Sequence, residues 1–265
     1  MKVPLPVRTV PALTFEAWLT PPPLGRSTAQ RDLAALSGFS HCHFGGVPGF
    51  EVGSGPLALA IHGWGGRPAQ LAPMALRLAE EGFRVVVPGL PGQAGGEKTD
   101  IVIGAQAVKS LMDDLGEPEL IVAHSFASMV LRLVFPDDAP GRVVLVAPTL
   151  DVHDALAVFG ERLRLLPWAR RGLRSRLEGW DPSLWPVVSA LHPEQLPGAD
   201  VLIVHDPSDE DTPFIRSAEL AAIRPSTAIV PIDGVGHTRI LSDPHTLDVV
   251  AEFVTRRPVS SHNAA

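Results

Sequence analysis

Four short stretches of this chain carry side chains able to do chemistry together. In Ala123-His124-Ser125-Phe126-Ala127 a serine sits where an apolar run of strand length gives way to helical apolar spacing at Phe126, Met129, Val130 and Val134. A sharp strand-to-helix turn of this kind, a nucleophile elbow, lifts the hydroxyl above the sheet edge. It also crowds strand against helix, so its flanks must be small, as Ala123 and Ala127 are. Ser125 would then lie at a helix N-terminus, whose unpaired amides favour a developing anion. The plain alternative is a serine that only caps the helix. The second stretch, Gly234-Val235-Gly236-His237, delivers an imidazole on a glycine turn directly after a strand, a suitable position for a general base. The third, His205 to Pro213, holds three aspartates, Asp206, Asp209 and Asp211, that compete for any catalytic task. Asp211, just before Thr212-Pro213, reads as a helix N-cap. The fourth, His62-Gly63-Trp64-Gly65-Gly66, is a glycine-rich turn into a helix. It can bring the Trp64 amide toward an oxyanion, with the Phe126 amide as second donor.

These stretches need elements that bring them to one place. Apolar strands are predicted at Ser40–Phe44, Pro48–Val52, Pro56–Ile61, Phe83–Val87, at the run into Ser125, Arg142–Val146, Ala199–His205 and Thr227–Ile232. Helices are predicted near Ala29–Leu36, from Leu71 to Glu81, Ile101–Leu115, after Ser125, Pro213–Ile223 and Asp243–Thr255. Strands alternating with helices of this length imply a parallel sheet wrapped on both faces, an α/β fold. In such a sheet ligands bind at the carboxyl ends of the strands, where all four stretches fall. Residues 1–25 are rich in proline and read as an extended arm, with Phe15, Trp18 and Leu19 docking on the body. The tail from Arg256 to Ala265 is polar and expected to fray.

Residues 151–198 break the alternation. They hold helical stretches interrupted at Pro167, Pro182 and Pro186, and three tryptophans, Trp168, Trp180 and Trp185. An aromatic helical insertion between two buried strands reads as a lid over the site, the alternative being a packing subdomain away from any ligand. The chain thus divides into 1–150, the arm and first part of the core, the lid 151–198, and 199–265, the rest of the core.

Composition narrows the partners. A net charge of -7 argues against nucleic acid. Cys42 is the single cysteine, so neither an internal disulfide nor a Cys-rich zinc site is available. His41 and His43 share a strand face, but no third metal ligand is near them in sequence. Prolines 4, 6 and 11 interrupt any signal-like apolar core, and no apolar run reaches the roughly 18 residues of a membrane helix, so a cytoplasmic location without membrane insertion is expected.

From about Gly55 to Phe253 the chain resembles the α/β-hydrolase superfamily. The likeness lies in the four motifs quoted and in the chain order Ser…Asp…His. It implies a mostly parallel sheet of about eight strands with Pro48–Val52 antiparallel. It also places the orienting acid four residues after the histidine that ends a strand and four before a proline, which is Asp209; Asp206 is the runner-up, and some relatives use the position of Asp151. Both elbow glycines of the family are alanine here. The implied activity is a serine hydrolase cleaving carboxylic esters, with Ser125 as nucleophile, His237 as base, Asp209 as orienting acid, and the Trp64 and Phe126 amides as oxyanion donors. No metal or organic cofactor is implied. Other readings are a thioesterase or carrier-protein ester hydrolase, suggested by Arg170, Arg171, Arg174 and Arg176, and a silent protein that keeps the fold without turnover.

Overall fold

The computed structural model of the chain describes residues 10–256 apart from 94, 96, 138, 140, 190–195, 197 and 198. Two helices come first, α1 (Val10–Leu19) and α2 (Arg26–Ala35). The core follows as β1 (Ser40–Phe44), β2 (Val47–Gly53), β3 (Leu57–Ile61), a 3-10 turn at Pro68–Leu71, α3 (Ala72–Glu80), β4 (Arg84–Pro88), α4 (Ile101–Leu115), β5 (Leu120–His124), α5 (Ala127–Val134) and β6 (Arg142–Val146). Three helices without an intervening strand come next, α6 (Val152–Arg162), α7 (Pro167–Trp180) and α8 (Trp185–Val188). The chain then returns through β7 (Asp200–His205), α9 (Phe214–Ile223), β8 (Thr227–Pro231), the short α10 (Gly236–Arg239) and α11 (Pro244–Thr255).

The eight strands form one sheet in the order β1-β2-β4-β3-β5-β6-β7-β8. β2 runs antiparallel to β1 and β4, and every pair from β4 to β8 is parallel. The two-residue strand period sorts side chains onto two buried faces. Ile121 and Ala123 of β5 join Leu59, Ile61, Leu145 and Ile203 in one core with α4 and α5. Leu120 and Val122 join Ala58, Ala60, Val144 and Val204 in the other with α3 and α11. Two apolar faces on one sheet explain why its strands read as continuous apolar runs. Because β3, β5, β7 and β8 point the same way, the loops that follow them open on one edge.

Two expectations need correction. The N-terminal residues are not an extended arm throughout, since α1 occupies Val10–Leu19. No proline falls between Pro11, in the helix's first turn, and Pro21, so the segment is free to coil. Leu19 is buried and Trp18 packs against the core, so docking is retained. Asp211 is not a helix cap either; Pro213 occupies that position before α9, and Asp211 pairs with Arg162 of α6 instead. The tail expected to fray lies, beyond Arg256, outside the described residues. No helix among the described residues is long and apolar enough to cross a membrane.

Candidate active site

Ser125 occupies the first position after β5 with φ of 54°, in the left-handed region. For a residue bearing a Cβ this costs about 1–3 kcal/mol and persists only where the surroundings over-determine it. Here they do. The Ser125 amide donates to the Val146 carbonyl at 3.0 Å. Its own carbonyl accepts the amides of Ser128 and Thr149, at 3.0 and 3.1 Å, and the Ser128 hydroxyl. Both small flanks, Ala123 and Ala127, are fully buried. The turn is therefore pinned to the end of β6 on one side and to the first turn of α5 on the other.

The loop after β3 closes on this turn. A Cβ placed on Gly63 would meet the Ser125 Cβ at 2.9 Å and His124 Nδ1 at 3.1 Å, so only glycine fits without displacement. Among the described residues no acceptor takes up the amide of Trp64 or of Phe126. Their rings meet edge to face with centroids 5.3 Å apart. His62 holds the loop from beneath: its Nδ1 donates to the Gly63 carbonyl at 3.0 Å and its Nε2 accepts the Leu90 amide at 3.2 Å. Burial, opposed only partly by the Gly63 bond, lowers its pKa to about 4.

His237 sits in α10 rather than in an open loop. Its Nε2 lies 2.9 Å from Ser125 Oγ and its Nδ1 lies 2.7 Å from Asp209 Oδ2. A carboxylate only accepts, so Nδ1 carries the proton and Nε2 is left to accept from the serine. Asp209 Oδ1 accepts the amides of Asp211 and Thr212, and Oδ2 accepts the Thr212 hydroxyl at 3.0 Å. Burial pushes the Asp209 carboxyl up, but these bonds and two imidazoles hold it well below the usual carboxylate range.

The second imidazole, His205, carries no expected role, yet it is fully buried with Nε2 3.4 Å from Asp209 Oδ2 and Nδ1 2.7 Å from Ser217 Oγ. The signal for it was its place at the end of β7, four residues before Asp209. Asp206 is buried too but turns elsewhere: its carboxylate accepts the Gly236 amide at 2.5 Å and the Ser208 amide and hydroxyl at 2.8 Å. Burial raises its pKa, and these bonds more than reverse the effect, bringing it to about 2. Asp206 thus anchors the turn that carries His237 without touching the ring. Asp151 caps α6 through the His153 amide at 2.7 Å. His124, beside the elbow, donates from Nε2 to the His237 carbonyl at 3.0 Å. Burial first, then the nearby His237, lower its pKa to about 3.

Ser125 and His237 open into a cavity of about 350 Å³, lined mainly by apolar side chains. Trp64, Phe126 and Met129 come from the core, and Phe159, Trp180 and Trp185 from the helices between β6 and β7. Trp168 does not line it. Helical phase is the reason: Ala169, Leu173 and Leu177 form the buried face of α7, and Trp168 stands about half a turn from Leu177. Instead Trp18 and Leu19 of α1 contribute to the wall. The ion pair of Arg162 with Asp211 joins α6 to the loop after β7 at the same cavity. Among the described residues only Asp209, Asp211 and His237 come together as three metal-capable groups, and each is already engaged as described. His41 and His43 stay exposed on edge strand β1.

No protein-family model matches the chain, and no curated protein sequence does. Solved structures do. A membrane phospholipase A described as a bacterial virulence factor aligns with a TM-score of 0.58 at 18% identity, over 93% of this chain and 92% of that one. An epoxide hydrolase from Vigna radiata aligns at 0.58 and 17%, over 83% and 98%. An enzyme named as an alpha/beta hydrolase, from a lagoon-sediment metagenome at Mar Chica, Morocco, aligns at 0.59 and 17%, over 81% and 97%.

Proposed function

Proceeding from the α/β-hydrolase fold that the chain adopts, we propose that it is a serine hydrolase cleaving carboxylic esters of apolar acids. One observation carries the reading: the continuous chain Ser125 Oγ, His237 Nε2, His237 Nδ1 and Asp209 Oδ2, with links of 2.9 and 2.7 Å, at the floor of an aromatic cavity. A fold of this kind hosts many reactions, so the chemistry follows from the site and not from the fold.

His237 takes the Ser125 proton as Oγ bonds to the ester carbonyl carbon, and the carbonyl oxygen becomes an oxyanion. The free amides of Trp64 and Phe126 face this charge, each worth about 3–4 kcal/mol in the transition state. The oxyanion collapses, the alcohol leaves with the proton from His237, and an acyl-serine remains. A water then gives a proton to His237 and attacks the acyl carbon, releasing the acid and restoring Ser125. Asp209 keeps the imidazole in the required tautomer and steadies its cation. Helices α6–α8 serve as a lid whose aromatic side chains exclude water and take the acyl group. The thioesterase reading is weaker, because Arg170 is bonded to the Leu165 carbonyl and Arg174 to Glu178 rather than free for an acidic carrier. Cys42, the one cysteine, fits a reducing compartment.

A fluorophosphonate probe is expected to label Ser125 in the wild type and to leave Ser125→Ala unlabelled. With activated esters from acetyl to hexanoyl, kcat/KM should rise about fourfold per methylene, since each buried methylene is worth about 0.8 kcal/mol. Absence of labelling would end the serine hydrolase reading; a flat chain-length profile would end the apolar acyl site.

A further inference from the structure

The N-terminal helix touches no part of the reacting chain, yet it forms part of the cavity. We propose that α1 is a second half of the lid and that Trp18 is a specificity-determining residue, setting the largest unbranched acyl group accepted. The proposal rests on the reading of Ser125 as the point of acyl attachment. Trp18 and Leu19 both line the cavity. The Trp18 ring stands edge-on to Phe159 of α6 with centroids 5.1 Å apart, and Phe15 meets Trp180 of α7 in the same manner at 6.0 Å. Beneath these contacts Leu156, Leu173 and Leu177 form a small separate core on which Phe15, Trp18 and Phe159 pack. The cover of the cavity is thus made by two segments far apart in sequence, joined aromatic ring to aromatic ring.

The helix is also fixed to the core side of the cavity. The Leu19 carbonyl accepts the Thr99 amide at 2.8 Å, and Glu16 pairs with Lys98. Directly beyond, Pro21 and Pro22 lie against the loop that carries Trp64: a Cβ on Gly65 would rest 3.5 Å from Pro22 and 3.8 Å from Pro21. On the other side Gly95 has room for no Cβ, which would come within 2.3 Å of Pro23. A tryptophan held this way is a wall and not a swinging arm. Proline fixes φ, so the segment behind it adds little freedom. The ligand class follows from the wall. Trp18 and Leu19 offer no carboxylate or ammonium, the charged residues that share the lining are engaged elsewhere (Arg162 with Asp211, Asp100 at the start of α4, Asp181 with Ser183), and about 350 Å³ holds on the order of ten water-sized groups, which suits a medium-length aliphatic chain.

Two measurements test this on the full chain. The first is the activated-ester series, extended from acetyl to dodecanoyl, on wild type and Trp18→Ala. The optimum should move to a longer acyl group, with kcat/KM for the wild-type optimum falling about tenfold. The second needs no turnover: calorimetric binding of straight-chain fatty acids, hexanoate to dodecanoate, to Ser125→Ala and to Ser125→Ala/Trp18→Ala. The double variant should bind the best-fitting chain about tenfold more weakly and prefer a longer one. If Trp18→Ala misfolds, Trp18→Leu replaces it, with a smaller shift in the same direction. An unchanged optimum and unchanged fatty-acid preference in folded protein would overturn the proposal. If wild type neither labels nor hydrolyses esters while fatty-acid preference still follows Trp18, the hydrolase reading fails and the Trp18 wall stands. If esters are cleaved and Trp18 has no effect, the reverse holds.

Discussion

The floor and the roof of the cavity are built on different physics. The floor is polar and short-range: Ser125, His237 and Asp209 are joined by hydrogen bonds, and the Ser125 carbonyl and the Asp209 carboxylate are held by backbone amides of the loops and helix starts that follow the strands. The roof is apolar and long-range: α1, α6 and α7 meet through rings and leucines contributed by distant segments, with Arg162–Asp211 and Arg216–Asp154 as the ionic ties of α6 to the core. A hydrogen-bonded floor fixes atoms to within tenths of an ångström, as bond-making requires. A packed roof fixes only volume, which is enough to select among homologous chains. The contrast predicts that floor substitutions abolish turnover with little effect on selectivity, and roof substitutions do the opposite.

The largest effect is expected at Ser125→Ala and His237→Ala. Each should lower kcat by about 10⁶-fold in protein of wild-type circular dichroism, since members of such a unit lose nearly everything singly. Retained turnover in either would break the division at its root. Next comes the acid: Asp209→Asn should cost about 10⁴-fold in kcat, far more than Asp206→Asn, Asp211→Asn or Asp151→Asn. Asp206→Asn still offers the Gly236 amide an acceptor, and Asp151 serves the end of α6. A larger loss at any of these three would reassign the carboxylate.

A smaller effect sharpens the claim of positional tolerance. Gly63→Ala forces a Cβ to within 2.9 Å of the Ser125 Cβ, and a displacement of this order should lower kcat/KM about 10²-fold while leaving the relative rates along the acyl series unchanged. A shifted chain-length optimum in this variant would show that floor and roof are not separable. The smallest effect is thermodynamic. The unfolded chain protonates His62 and His124 near the ordinary value of 6.5, the folded chain only near 4 and 3. Stability is therefore full above pH 6.5 and declines below it, by about 1.4 kcal/mol per pH unit for each imidazole. Urea unfolding at pH 7 and pH 5 should register the loss, and His124→Asn should remove about half of the slope. Equal midpoints at the two pH values would contradict the buried, neutral state of both rings.

The floor was far more legible in the sequence than the roof, for the same physical reason. Ile101–Leu115 and Arg142–Val146 could be read to the residue because periodicity and end signals are local. The small flanks of Ser125 and the glycine turn before His237 are local as well. Even on the floor, however, one partner stayed hidden: the spacing of four puts His205 near Asp209, but that its buried ring turns onto the carboxylate is visible only once β7 and its loop are folded. The roof depends on helical phase and on contacts over long separations. Three tryptophans in one helical stretch suggested three pocket residues, yet Trp168 falls on the wrong side of α7. The prolines around α1 suggested extended chain, and the helix they flank is one of short length that owes its stability to docking.

The left-handed turn at Ser125 has a consequence for the side chain it carries. Glycine at this position would adopt the same φ without the steric penalty, so a Ser125→Gly protein should lose strain of about 1–3 kcal/mol, set against glycine's greater backbone entropy in the unfolded chain. The Ser125 hydroxyl is held where a residue without any side chain would meet less steric strain. Backbone conformation gives the fold no reason to keep a side chain here; the contacts of Oγ with His237 and Thr149 are what a glycine would forfeit.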